Sequence, residues 1–241
     1  MRRHSPKRAG WADAQGRGVL TVLARVPLFA DFSAKDVDDL ASLVRSRRYP
    51  KGSIIFHQGD PGTSLYLIEK GEVKLTVTSN SGKEVTLAIL GPEAFFGELS
   101  LLDGGSRSAN AIARVDCTVG TLDREPLLQF LADHPRATSS LLSVMAGRLR
   151  RTTDQVHDAV FFDIPARLAK VLLQFSGAKR EGPDGVLSPP KLNQEELANL
   201  VGGTRESVNK CLGVYARQGL IRCRRGMVTV LKPEELRKRV Y

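Results

Sequence analysis

The 241-residue chain is poor in the residues from which covalently or metal-held scaffolds are built. Its three cysteines, Cys117, Cys211 and Cys223, lie far apart, form no CxxC pair and have no histidine beside them. That excludes a disulfide framework and a zinc or iron–sulfur site, and the three read as small buried apolar residues. Two of the four histidines, His57 and His134, stand alone, so no metal is expected. No apolar run approaches the ~18 residues of a membrane-spanning helix. The basic N-terminus runs into polar Gly/Ala/Asp sequence instead of a signal-peptide apolar core. The expected location is the cytoplasm, with no membrane partner.

Acidic residues are also in short supply, 26 against 36 Lys/Arg for a net charge of +10. The shortage is uneven. Residues 1–25 hold six Lys/Arg and one Asp, residues 26–162 fifteen against seventeen acids, and residues 163–241 fifteen against eight. A basic C-terminal third favours a polyanion partner, although a solvated surface carries the same signature. With 41% hydrophobic residues, the chain can bury two modest cores.

Residues 1–18 are basic and Gly/Ala-rich without periodicity, and read as a disordered leader. Small amphipathic helices follow to about residue 44, with Ser33 placed to cap and Asp36 in the first turn. Short β-type runs occupy residues 53–57, 64–70, 72–78, 84–90, 109–115 and 117–122, broken by turn signals at Gly59-Asp60-Pro61-Gly62, Lys70-Gly71 and Ser79-Asn80-Ser81-Gly82. Many short strands at near-even spacing predict a barrel or roll.

A helix over 124–131 leads into a long one over 135–160, with Asp133 able to cap it and Pro135 in its first turn. At ~1.5 Å per residue the long helix spans roughly 39 Å. Leu142, Met145, Leu149, Thr152, Val156 and Ala159 alternate at spacings of three and four, the seam of a two-stranded coiled coil, which predicts a parallel homodimer. Thr152 and Thr153 interrupt that seam with adjacent hydroxyls. Two readings stand side by side: the hydroxyls satisfy themselves on helix carbonyls one turn back, or something polar docks there.

Between strands lies Phe95-Phe96-Gly97-Glu98-Leu99-Ser100-Leu101-Leu102-Asp103-Gly104-Gly105-Ser106-Arg107-Ser108-Ala109. A glycine, a carboxylate, a short turn and an Arg-Ser pair suit a phosphorylated sugar, with backbone N–H groups and arginine on the phosphate and glutamate on a ribose hydroxyl. An ordinary hairpin has the same elements.

Beyond the long helix, Asp163 and Pro165 open a new helix striped by Ile164, Leu168, Val171, Leu172 and Phe175 and ended by Gly177. A Gly/Pro-rich loop spans 178–190. Asn193-Gln194-Glu195-Glu196 then supplies a capping box, and Leu197, Ala198, Val201, Gly202, Val208 and Cys211 give the small and apolar pattern of a helix-turn-helix. Thr204 caps its second helix, on whose outward face stand Arg205, Glu206, Asn209 and Lys210, while Val208, Cys211, Leu212 and Tyr215 face the core. A merely solvated charged face is the competing reading. Residues 220–230, with Arg224-Arg225-Gly226 at the turn, read as a β-hairpin wing, and residues 232–241 as a basic tail.

Through Gly97-Glu98-Leu99, Arg107-Ser108-Ala109 and the region 193–212, the chain resembles the cyclic AMP receptor protein (catabolite activator) family of bacterial transcription regulators, from about Val22 to Val230. The resemblance implies that Gly97, Glu98 and Leu99 form the phosphate and ribose cassette, and that Arg107 and Ser108 bind the cyclic phosphate. It also implies that Thr152 of one chain and Thr153 of the other read adenine, the second being serine in the prototype. Base contacts carry to Arg205, Glu206 and Lys210, with arginine in the prototype where Lys210 stands; lysine lacks the planar fork. Arginine matches guanine O6/N7 and glutamate accepts from cytosine N4, so their chemistry independently supports G·C readout.

The expected molecule is α+β: a leader over 1–18, a cyclic-nucleotide-binding β-roll of jelly-roll type over 19–134, a dimerisation helix over 135–160 and a winged helix-turn-helix over 161–241. It is expected not to be an enzyme. Its expected effector is cyclic AMP, and its partners a second copy, a near-palindromic duplex DNA and RNA polymerase. Two rivals share parts of this pattern: a regulator that is ligand-independent or takes another effector, and a cyclic-nucleotide-binding regulatory subunit without DNA binding.

Overall fold

The computed structural model describes Leu23 and residues 33–177, 192–224 and 227–240. The expected leader, most of the helical stretch before Ser33, the loop over 178–190 and the wing-turn residues Arg225 and Gly226 lie outside the described residues.

Helix α1 (Ala34–Leu43) opens in a capping box, with Ser33 Oγ accepting from the Asp36 N–H and the Asp36 carboxylate from the Ser33 N–H, each at 3.2 Å. Eight strands follow: β1 (Arg45–Tyr49), β2 (Ile54–Phe56), β3 (Ser64–Lys70), β4 (Val73–Thr78), β5 (Glu84–Leu90), β6 (Phe95–Phe96), β7 (Asn110–Ala113) and β8 (Cys117–Asp123), with α2 (Glu98–Asp103) inserted before β7. They form two four-stranded sheets, ordered β1-β8-β3-β6 and β2-β7-β4-β5. In the first sheet β8 lies between β1 and β3, antiparallel to both, with Tyr49 opposite Cys117 and Leu65 opposite Leu122.

Strand β3 is buried on both faces, which explains its nearly continuous apolar run. Tyr66 and Ile68 pack with Phe56, Val73, Phe96, Ala111 and Val119, whereas Leu65 and Leu67 pack with Leu40, Leu101, Leu127 and Phe130. Strand β1 is absent from the sequence reading because Arg45, Arg47 and Arg48 show no apolar alternation. It exists because an edge strand needs only a backbone partner, here β8.

Helices α3 (Arg124–Asp133) and α4 (Pro135–Phe161) meet at His134. Asp133 does not cap the long helix: it closes α3 and accepts from Gln129 at 3.0 Å, and the His134 carbonyl instead accepts from the Ala137 N–H at 2.9 Å. The described residues divide into two compact units on either side of Gly147, with the hairpin tip Thr78–Leu87 in the second. Along α4, Leu142, Leu149 and Val156 are 64%, 69% and 59% exposed, so these three seam residues are uncovered among the described residues, whereas Met145 packs on the core.

The second unit contains α5 (Ile164–Gly177), α6 (Gln194–Val201), α7 (Arg205–Arg217), the hairpin β9 (Ile221–Arg224) and β10 (Met227–Val230), and α8 (Pro233–Arg237). Asp163 Oδ1 accepts from the Ala166 N–H at 2.9 Å and so caps α5. Leu168, Leu172, Leu197, Val208, Leu212, Tyr215 and Val230 are buried. The Tyr215 hydroxyl donates to the Pro165 carbonyl at 2.8 Å, and burial pushes its pKa up to about 12. The expected basic tail is instead a packed helix: Leu236 is fully buried and Val240 nearly so, apolar anchors too sparse to make a periodic pattern. Cys117 is buried as expected, but Cys223 is exposed on β9.

Candidate functional site

The cassette is built where α2 starts against β3. Gly97 sits at the N-cap of α2 with φ 79° and ψ 13°, a left-handed conformation that costs an L-residue about 1–2 kcal/mol. A second constraint falls on the same atom. A Cβ there would lie 2.6 Å from Arg107 Nη1 and 3.2 Å from Tyr66 Cδ2, so the position requires glycine for both backbone and space.

Arg107 is 4% exposed, with its guanidinium inside the roll. Nη1 donates to Gly97 O at 2.7 Å and Ser100 Oγ at 2.9 Å, and Nη2 donates to Ser64 O at 2.8 Å. Its Cζ lies 4.4 Å from the centre of the Phe56 ring and 5.3 Å from that of Tyr66, two cation–π contacts with rings that also pack on each other. The backbone is equally held: the Arg107 N–H donates to Asp60 O and its carbonyl accepts from Gly59 N–H, both at 2.8 Å. Among the described residues Nε is buried without a partner. Burial pushes the guanidinium below its usual pKa while Tyr66, Glu98 and Asp60 oppose that shift, and arginine stays charged regardless.

Glu98 is 6% exposed at the first position of α2, whereas Leu99 and Ser108 face solvent. Gly97, Glu98 and Arg107 therefore converge. The residues that complete this setting, Ser64, Tyr66, Phe56 and Ser100, were not singled out from sequence. Thr152 and Thr153 lie on α4 in the second unit, both exposed, and donate to the Arg148 carbonyl at 3.1 Å and the Leu149 carbonyl at 3.0 Å.

In the helix-turn-helix, the Asn193–Glu196 capping box forms with bonds of 2.8 and 2.9 Å, and Thr204 Oγ1 accepts from the Ser207 N–H at 3.2 Å. A Cβ on Gly203 in the connecting turn would fall 2.9 Å from Ile164 Cδ1, so the turn packs closely on α5. Arg205, Glu206 and Lys210 are exposed on α7 and Asn209 is half-buried. Among the described residues no group of three or more His, Cys, Asp or Glu could hold a metal, and no helix is long and apolar enough to cross a membrane.

Residues 46–134 match the cyclic nucleotide-binding domain family, and residues 166–239 the Crp-like helix-turn-helix domain family. Over 219 residues the chain is 37% identical to the CRP-like cAMP-activated global transcriptional regulator of Mycobacterium tuberculosis, covering 90% of this chain and 98% of that protein. It is 38% identical over 204 residues to the cyclic AMP receptor protein of Thermus thermophilus, with 85% and 92% covered. The structure of the c-di-GMP responsive global regulator CLP of Xanthomonas campestris matches with a TM-score of 0.71 at 25% identity, covering 82% of this chain and 99% of that one. On these matches the chain belongs to the cyclic AMP receptor protein family of bacterial transcription regulators, with a cyclic nucleotide-binding domain followed by a Crp-like helix-turn-helix DNA-binding domain.

Proposed function

We propose that the protein is a homodimeric regulator controlled by cyclic AMP, which binds a near-palindromic duplex and acts with RNA polymerase. Arg107 carries this reading. Its Nε, like that of the half-buried Arg167, has no partner among the described residues, but Arg107 alone of the two is fully buried and sits beside the Gly97-Glu98 cassette, where a cyclic phosphate supplies the missing acceptor through a charge-assisted bond. In this role Gly97 lets the backbone approach, Leu99 continues the cassette, Glu98 accepts from a ribose hydroxyl, and Arg107 with Ser108 holds the phosphate. Thr152 from one protomer and Thr153 from the other take the adenine.

The uncovered row Leu142, Leu149 and Val156 supports the dimer, since a second copy offers the same row to cover it. Thr204, Arg205, Glu206, Asn209 and Lys210 face the DNA, with Arg205 on a guanine and Glu206 on a cytosine. Effector binding regulates only by favouring one of two states, the one in which both recognition helices suit the duplex.

The test is calorimetry on the full chain with cyclic AMP, cyclic GMP, cyclic di-GMP and haem, the third because the Xanthomonas relative is described as responsive to it. Cyclic AMP should bind, and Arg107→Ala should abolish detectable binding with the dimer intact. Unchanged affinity in that variant would overturn the site assignment. For DNA, selection from a random library should return different motifs for wild type and Arg205→Ala. Identical motifs would remove Arg205 from base reading.

A further inference from the structure

We propose that Gln194 is a positioning residue for DNA readout: its side-chain oxygen clamps Arg205 and Asn209 and aims the terminal nitrogens of Arg205 outward. This rests on the reading of α7 as the recognition helix. Gln194 is the first residue of α6, and the capping box of Asn193 and Glu196 fixes the turn that carries it. Gln194 Oε1 accepts from Arg205 Nε at 3.3 Å and from Asn209 Nδ2 at 3.0 Å. Arg205 and Asn209 are four apart on α7, so they share one helix face and can reach one oxygen.

The chemistry leaves one arrangement. Arginine is a donor only, so Gln194 must present its oxygen, and once that oxygen also takes Asn209 Nδ2 both acceptor sites are filled. Asn209 Oδ1 is then buried without a partner among the described residues. Folding gains nothing from that orphaned oxygen, whereas a clamp that orients Asn209 towards Gln194 accounts for it. Among the described residues Nε is the one Arg205 nitrogen with a protein partner. With Nε occupied, Arg205 can meet guanine O6 and N7 only end-on, through Nη1 and Nη2. Holding a long side chain in its bound conformation before the encounter is worth about two- to tenfold in affinity.

The experiment uses the full chain with cyclic AMP present, and measures equilibrium binding to its selected duplex, to that duplex with A·T at the symmetric pair read by Arg205, and to random DNA. Gln194→Ala should weaken the selected duplex about two- to tenfold. Discrimination at that base pair should fall by the same factor, while binding to random DNA and the salt slope stay unchanged. Gln194→Glu keeps the acceptor and adds a charge facing phosphates, so it should preserve discrimination while weakening every duplex. Gln194→Ala in an Arg205→Ala background should have no further effect. Equal weakening by Gln194→Ala on all sequences, or a full additional loss in the Arg205→Ala background, would overturn the clamp. Wild-type discrimination in Arg205→Ala itself would show instead that the reading of α7 is wrong, and the proposal falls with it.

Discussion

Gly97→Ala tests whether the cassette glycine and the buried arginine form one unit. The substitution meets two separate obstacles. With φ at 79°, an alanine is forced into the left-handed region at about 1–2 kcal/mol. Its Cβ would also stand 2.6 Å from Arg107 Nη1, so the guanidinium must retreat by about 1 Å to restore ordinary contact. Nη1 holds both Gly97 O and Ser100 Oγ, and loss of even one charged hydrogen bond costs about 1.5–3 kcal/mol. The expected destabilisation is therefore about 2.5–5 kcal/mol. Gly104→Ala is the control: its φ is 75°, yet nothing lies within 4 Å of the added atom, so it should lose only the conformational part. Urea unfolding followed by circular dichroism, at one fixed protomer concentration, measures both. Equal destabilisation of the two variants, within about 0.5 kcal/mol, would refute the coupling of Gly97 to Arg107.

Three further expectations have different readouts. Leu149, 69% exposed on α4, meets its own symmetry mate in the proposed dimer, so Leu149→Glu should bury two like charges and give a monomer by sedimentation. A persistent dimer would place the interface elsewhere. Thr153→Ala should weaken cyclic AMP more than cyclic GMP in calorimetry, and equal losses would remove adenine readout from that hydroxyl. The Phe130 carbonyl, 2.8 Å from Nδ1, and the Asp36 carboxylate, 3.3 Å from Nε2, hold His134 above its usual pKa. Protonated His134 therefore stabilises the fold fully below about pH 6.5, and that contribution disappears as pH rises through the folded-state value. His134→Gln should thus destabilise more at about pH 5.5 than at about pH 8.5; a pH-independent difference in urea midpoint would contradict this.

The parts of the fold that were legible in sequence are those whose information is local. The cap at Ser33 and the capping box of Asn193 with Glu196 lie within one helical turn, and both form, the first as a full capping box with Asp36. The seam of α4 repeats over many turns, so its helix emerges nearly as read, Pro135–Phe161. What stayed hidden depends on partners far along the chain. Strand β1 is defined by pairing Arg45 with Thr121, and α8 by the burial of Leu236 in a stretch that otherwise reads as charge. Gly97, Glu98 and Arg107 were visible as a motif. Ser64, which accepts from Arg107 across 43 positions, was not, because only the course of β3 brings its carbonyl there. A general signal was nevertheless present: an arginine placed inside an apolar roll must find several acceptors, and carbonyls are what a strand can offer.

The threonines of α4 show why two sequence readings can be compatible. The self-satisfied reading is realised, since Thr152 and Thr153 donate to the Arg148 and Leu149 carbonyls one turn back. A hydroxyl has one hydrogen and two lone pairs, so each donation uses the hydrogen and leaves the oxygen able only to accept. Such an oxygen suits a donor. The exocyclic amine of adenine is a donor, whereas the corresponding group of guanine is a carbonyl that would meet a second acceptor. If Thr153 reads the base in the proposed way, the helix backbone sets the preference by taking the proton first. Thr153→Ser keeps both the hydrogen and the lone pairs, so it should retain the preference for cyclic AMP that Thr153→Ala loses. Calorimetry of the two variants separates a polar role for this oxygen from simple filling by the threonine methyl, because loss of the preference in Thr153→Ser would assign it to the methyl.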